Sequence, residues 1–289
     1  MWRAIAAYVL WGLLPFYWKQ LETLPALEVL AHRIFWSFAT LALVLTGRGH
    51  WGRVRQVGRV AGAYAAAAAL ISVNWFVYIW AVNSGFIVEC SLGYFINPLV
   101  SVLLGVVLFG ERLRPLQWMA VGCAGAGVLY LSISYGSLPW ISLVLAVTFA
   151  VYGAVKKVAR LGSLEGLTLE TSMLVIPALA YLIYRHATGA GSFLQTGATT
   201  SWFLAGAGVV TTLPLVLFAG AVRQVSLSVI GILQYIAPTL QLMAGVLFYK
   251  EPFTHAQLIG FTGVWIGLAL FAVDGWRSRR PVNSVSLEP

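Results

Sequence analysis

The chain has 289 residues, of which 60% belong to the apolar and aromatic set and only 9% are charged, with a net charge of +9 and a mean hydropathy of +0.86. Soluble domains carry about 25% charged residues, so this composition cannot cover a domain of this size with a water-facing surface. The positive charge is no nucleic-acid signature, because Lys and Arg fall in short clusters between apolar runs, without a basic face interleaved with aromatics.

Ten apolar runs follow one another along the chain, at roughly 4–18, 28–46, 60–82, 87–109, 115–133, 138–155, 167–184, 200–221, 226–249 and 256–275. Each is near the ~20 residues that a helix needs to cross about 30 Å of hydrocarbon. The first has no small-residue cleavage site before Lys19-Gln20 and is read as a span, not as a signal peptide. Unbroken runs of this length exclude barrel strands, which would alternate over about ten residues. The fold class expected is therefore an all-α polytopic membrane protein with ten transmembrane helices. Tyr17, Trp18, Trp51, Trp80, Trp140, Trp202 and Trp276 near the run ends suit an interfacial belt.

With the amino terminus placed in the cytoplasm, that side holds Arg3, then Arg48, Arg53, Arg55 and Arg59, then Arg112 and Arg114, then Lys156, Lys157 and Arg160, then Arg223, and finally Arg277, Arg279 and Arg280. The other side holds Lys19, Arg185 and Lys250. The split is 14 to 3, with Arg33 inside a span. This predicts cytoplasmic termini and an even number of spans. Residues 277–289 read as a short cytoplasmic tail.

The two halves resemble each other. A shift of 140 residues superposes Pro98 on Pro238, Gly105 on Gly245, Glu111 on Glu251, Gln117 on Gln257 and Gly127 on Gly267; a shift of 141–142 brings Trp11-Gly12 onto Tyr152-Gly153 and Glu28 onto Glu170. Pro, Glu and Gln at constant spacing are harder to obtain by chance than Gly or Leu. Two repeats follow, over 1–133 and 138–276. Five spans in each make the second enter from the opposite side, so ten helices form two inverted five-helix repeats with a cavity between them, an architecture of secondary transporters.

Ionisable groups in hydrocarbon cost about 2.5–3.5 kcal/mol each, which draws attention to the second run. There Glu28 and His32 are four apart and share a face, with Arg33 beside them. One reading has Arg33 hold an anionic or polar substrate group, with His32 tuning it or carrying protons. The other has Arg33 tie two helices by pairing with a carboxylate or a carbonyl. Val175 stands opposite Arg33 in the repeat, so the site is asymmetric. Asn74, and Glu89 as a gate or a tie to Arg33, belong to the same half of the membrane. Pro98, after Asn97, and Pro238 fall in mid-span, where a missing N–H kinks a helix and frees carbonyls. They are candidate hinges, and Tyr94, Gln234, Tyr235 and Gln241 near them are candidate cavity walls. Cys123/Gly127 and Gly263/Gly267 form small-residue pairs suited to close helix packing within the chain. Cys90 and Cys123 carry no metal or redox spacing. Catalytic, cofactor and nucleotide-binding motifs are absent from the sequence, so no cofactor and no nucleotide partner is expected.

Two tracts carry a family resemblance. Ser91-Leu92-Gly93-Tyr94-Phe95-Ile96-Asn97-Pro98-Leu99 is followed by Gly110-Glu111-Arg112-Leu113. Gln234-Tyr235-Ile236-Ala237-Pro238-Thr239 is followed by Lys250-Glu251-Pro252. They resemble the ends of the five-helix units of EamA-type permeases in the drug/metabolite transporter superfamily. Tyr8-Val9-Leu10-Trp11-Gly12, His32-Arg33-Ile34-Phe35-Trp36-Ser37, Asn74-Trp75 and Ala81-Val82-Asn83 are similar to the RarD-type permeases within it. The resemblance implies a permease of the bacterial inner membrane. Its members bear names such as chloramphenicol-sensitivity protein, or act as exporters of drugs and metabolites. The reading is a secondary transporter, an exporter or exchanger of a small organic molecule, without fixing the cargo, the direction, the coupling ion or the oligomeric state. A scaffold or receptor would need neither matched prolines nor an inverted repeat. An intramembrane enzyme would need a clustered nucleophile that the sequence lacks.

Overall fold

The computed structural model describes residues 1–55, 61–83, 86–134, 140–248 and 254–277, and among these the regular structure is entirely helical. The helices are α1 (Trp2–Trp18), α2 (Ala26–Gly47), a short α3 (Trp51–Arg55), α4 (Ala61–Asn83), α5 (Ile87–Phe109), α6 (Pro115–Ser134), α7 (Trp140–Val158), α8 (Ser163–Ala187), α9 (Ala198–Val222), α10 (Leu227–Leu233), α11 (Ile236–Met243) and α12 (His255–Arg277). Among the described residues nine segments are long and apolar enough to cross a bilayer, with α10, α11 and the π turn Ala244–Phe248 counted as one. At 17 residues, α1 spans about 25 Å and is the tenth apolar helix.

Local chemistry sets the boundaries. Gly110 ends α5 in the left-handed region at φ 62°, which a residue with a Cβ adopts only with strain. Pro115 opens α6, where its missing N–H removes no helical bond. Ser226 caps α10 by accepting from the Val229 N–H. The two matched prolines sit in different settings. Pro98 lies inside a continuous α5, whereas Pro238 is in the first turn of α11, just after a break at Gln234-Tyr235. A first-turn proline removes no intrahelical bond, so the break and the proline suit each other.

Polarity is inside out relative to a soluble protein. Trp2, Leu43, Ile133, Ile176 and Trp202 are largely exposed, while Glu28, Arg33, Asn97, Lys156, Glu170 and Thr211 are buried. Apolar flanks with polar side chains turned inward fit a lipid surround, and the chain is a multi-pass membrane protein.

The long helices alternate in direction. At the end where α1 starts, Arg114 Nη1 pairs with Asp274 Oδ2 at 3.0 Å and Tyr64 accepts from the Leu161 N–H at 2.7 Å. At the opposite end, Tyr17 donates to the Phe203 carbonyl and Arg185 pairs with Glu28 at 2.9 Å. Packing interleaves the halves. Helix α6 lies on α12, α5 on α7 and α10, α2 on α8 and α9, α4 on α7 and α8, and α1 on α9 and α11. Each of these pairings joins a helix before residue 135 to one after residue 139. At the α6–α12 crossing a Cβ on Gly127 would stand 2.4 Å from the Gly260 carbonyl oxygen, and one on Gly267 would stand 2.6 Å from that of Ala120. Only glycine permits that approach.

Candidate functional site

A cavity opens between the halves, with about 820 Å³ of empty space when the open solvent at its mouth is included. Helix α1 contributes Tyr8, Trp11 and Trp18; α2 contributes Arg33; α4 contributes Asn74, Trp75 and Tyr78; and α5 contributes Tyr94. From the second half come Phe149, Leu215, Gln234, Ala237, Pro238 and Gln241. No carboxylate is among these described lining residues.

Among the described lining residues Arg33 is the one charged side chain, 8% exposed. Its Nε donates to Thr211 Oγ1 at 2.8 Å. Its guanidinium carbon lies 4.1 Å from the centroid of the Trp75 ring and 5.1 Å from that of Trp18. These are cation–π distances. The described partners of Arg33 are thus a hydroxyl and two indoles. Asn74 donates from Nδ2 to the Leu145 carbonyl at 2.9 Å and to Thr148 Oγ1 at 3.0 Å, and Gln241 donates to the Trp11 carbonyl at 3.1 Å. Both amides tie first-half helices to second-half helices while they line the cavity. Tyr8, on the same wall, is fully buried and its hydroxyl lacks a hydrogen-bond partner.

The remaining candidates lie elsewhere. His32 belongs to a separate pocket with Glu28, His186 and Phe193 at the end opposite the amino terminus. Its ring centroid is 5.1 Å from that of Phe193, and its Nδ1 is buried without a partner. Glu28 accepts there from Arg185, from the Ser192 N–H at 2.5 Å and from Ser192 Oγ at 3.2 Å, which ties α2 to the loop after α8. Asn97 donates to the Ala146 carbonyl at 2.7 Å, and Tyr235 donates to the Phe95 carbonyl at 3.2 Å. Both are buried where α5 meets its neighbours, away from the cavity wall. Pro98 packs there too, its carbonyl against Gly231. The Glu89 side chain lies outside the described residues, as does all of Glu251.

Three features escaped the sequence reading. Lys156, counted with the loop cations, is in α7 and 3% exposed, with its Nζ 2.6 Å from Glu170 Oε1; Tyr152 donates to Glu170 Oε2 at 3.2 Å. Moving Lys156 out of the loops changes the split from 14 to 3 into 13 to 3 and leaves its sign. The Trp18–Arg33–Trp75 stack is the second. Both indoles were quoted in the sequence, but nothing in linear spacing brings them to one guanidinium. Glu111 is the third. It accepts from the Leu227 N–H at 2.6 Å, the Ser228 N–H at 2.9 Å and Ser228 Oγ at 2.6 Å, with Lys157 Nζ at 3.3 Å. Burial raises its pKa, but these hydrogen bonds outweigh burial and hold the carboxyl below its ordinary value. Its pairing with Glu251 in the repeat hinted at a role.

Among the described residues no group of three or more His, Cys, Asp or Glu side chains could hold a metal ion. The model of the EamA-like transporter family matches residues 1–133 and again 138–273. Protein RarD of Streptomyces exfoliatus is 47% identical over 95% of this chain and 88% of its own. An uncharacterized transporter of Bacillus subtilis, YojE, is 46% identical over 96% and 95%. The chloramphenicol-sensitive protein RarD of Pseudomonas aeruginosa is 34% identical over 96% and 93%. A solved crystal structure with 20% identity covers 96% of this chain and 98% of its own with a TM-score of 0.72, a likeness of fold.

Proposed function

This chain belongs to the EamA-like transporter family, and from that premise we propose that it is a secondary transporter of the bacterial inner membrane that exports a small organic metabolite or drug by alternating access. The observation that carries this reading is the cavity, walled by helices of both halves and floored by a buried arginine. Arg33 anchors the cargo, and Asn74, Tyr94, Gln234 and Gln241 line its path. Asn97 and Tyr235 brace α5 against α7 and α10. Pro98 and the break before Pro238 act as hinges, and His32 with Glu28 belongs to the gate at the outer end.

The inverted repeat is part of the proposal. Exchanging the halves turns the α5–α7 contact into the α1–α11 contact, α2–α9 into α4–α8, and α4–α7 into α1–α9, while α2–α8, α5–α10 and α6–α12 map onto themselves. A packing pattern that survives this exchange supports two inverted repeats, 1–133 and 138–276, related by a pseudo-two-fold axis. The surplus of Lys and Arg supports cytoplasmic termini. Glu111 and Lys157 then close the cytoplasmic end in this conformation.

Proteoliposome uptake with and without a pH gradient tests the reading, beginning with chloramphenicol and amino acids as cargo. The expected outcome is saturable flux, reduced at least tenfold by Arg33→Ala. Absence of flux for every compound class, with a cellular phenotype that survives Arg33→Ala, would overturn it in favour of a scaffold or receptor.

A further inference from the structure

The cavity joins one cation to an aromatic wall. Thr211 engages Arg33 through Nε alone, and the indoles of Trp18 and Trp75 cover the guanidinium. The two terminal nitrogens keep the fork that matches a carboxylate with two parallel hydrogen bonds. A buried charge is normally neutralised or paired, and the described lining residues offer no carboxylate to do so.

We propose that the cargo is a monoanion that joins a carboxylate to a planar apolar body, with the carboxylate on Arg33 and the body against the aromatic wall. The inference rests on the transporter reading and narrows it to a substrate class. The proposal further holds that no cation moves with the cargo. Arg33 stays with the protein, so each cargo carries its negative charge across alone. An inside-negative potential drives that charge outward, and a unit charge across 100 mV sustains about a 50-fold gradient.

The test uses three compounds with one body and three charges: 3-phenylpropanoate, 3-phenylpropanamide and 3-phenylpropylamine. Calorimetric titration of the full chain in nanodiscs reads binding, and current across protein-loaded liposomes on a solid support reads charge movement. The expected result is binding of the acid at least tenfold tighter than of the amide, with the amine weaker still. The acid alone gives a current. Arg33→Lys retains part of the preference where Arg33→Gln abolishes it, and size-exclusion profiles confirm that each variant is folded. Equal or tighter binding of the amide or the amine, binding of none of the three, or flux of the acid without current overturns the inference. Flux of the amide would leave the transporter reading standing. Tight binding of the acid without flux of any compound would do the reverse.

Discussion

Among the described residues two buried cations, Lys156 and Arg33, are held in opposite ways. Lys156 is paired with Glu170 at 2.6 Å, and Tyr152 occupies the other carboxylate oxygen. The protein supplies its counter-charge, and the pair ties α7 to α8. Arg33 has a hydroxyl, two indoles and an open cavity beside it. Its electrostatic need is met only in part, so something from outside can complete it. Burial of charge within a membrane therefore does not by itself mark a functional site. The distinction lies in whether the protein supplies the counter-charge.

The largest effect should come from breaking the lock. Glu170→Leu leaves the Lys156 ammonium buried and alone, at a cost of about 3–5 kcal/mol. The double variant Lys156→Met, Glu170→Leu should recover most of that loss, because a buried pair and an apolar replacement of similar volume are close in free energy; the Tyr152 hydroxyl, left without its acceptor, keeps it about 1–3 kcal/mol below the parent. Thermal unfolding in detergent reads both. A double variant as unstable as the single one would mean that the pair does more than lock two helices.

Much of the architecture was legible because it depends on run length and composition. The ten apolar runs correspond to the long helices, and the Gly127 and Gly267 positions to the α6–α12 crossing. The site was legible only in part, for a rotational reason. Neighbouring residues on a helix point about 100° apart. Arg33 therefore reaches the cavity while His32 turns to a separate pocket. Even a turn of about 60°, between Tyr94 on the cavity wall and Asn97 three residues on, is enough to set Asn97 against α7. A sequence gives the spacing around a helix but not which helix stands on each side. Lys156 shows the same limit at a boundary. Its apolar run ends at 155, yet α7 continues to Val158 and turns the ammonium inward onto a carboxylate 14 residues later in the chain.

A smaller effect should separate Arg33 from its support. Thr211→Val keeps the shape of the side chain and deletes the acceptor of the Arg33 Nε–H. A buried donor left unpaired costs about 1–3 kcal/mol. Because the guanidinium then loses its fixed orientation, flux should fall about tenfold, with rescue expected from Thr211→Ser. The neighbouring Thr212 hydroxyl is buried without a partner, so Thr212→Val should be neutral or slightly stabilising. Equal losses from both valine variants would show that volume in α9, not the hydrogen bond to Arg33, is what matters.

The smallest effect concerns Glu111, which the protein satisfies as fully as Glu170 but at the edge of the bundle, with backbone and hydroxyl donors in place of a buried ammonium. Glu111→Gln removes the charge facing the first turn of α10 and the partly exposed pair with Lys157, which together amount to about 1 kcal/mol. The folded-state pKa lies below the ordinary value of 4.5. The carboxylate therefore contributes its stability at pH above that value and loses it as pH falls through the lower folded-state value. The melting-temperature gap between the parent and Glu111→Gln should be constant near neutrality and close as the pH drops below 4.5. A gap that persists after the carboxyl has been protonated would mean that the shape of the side chain, and not its charge, holds the loop after α5 to α10. Glu111 would then resemble the Asn97 contact more than the Lys156 lock.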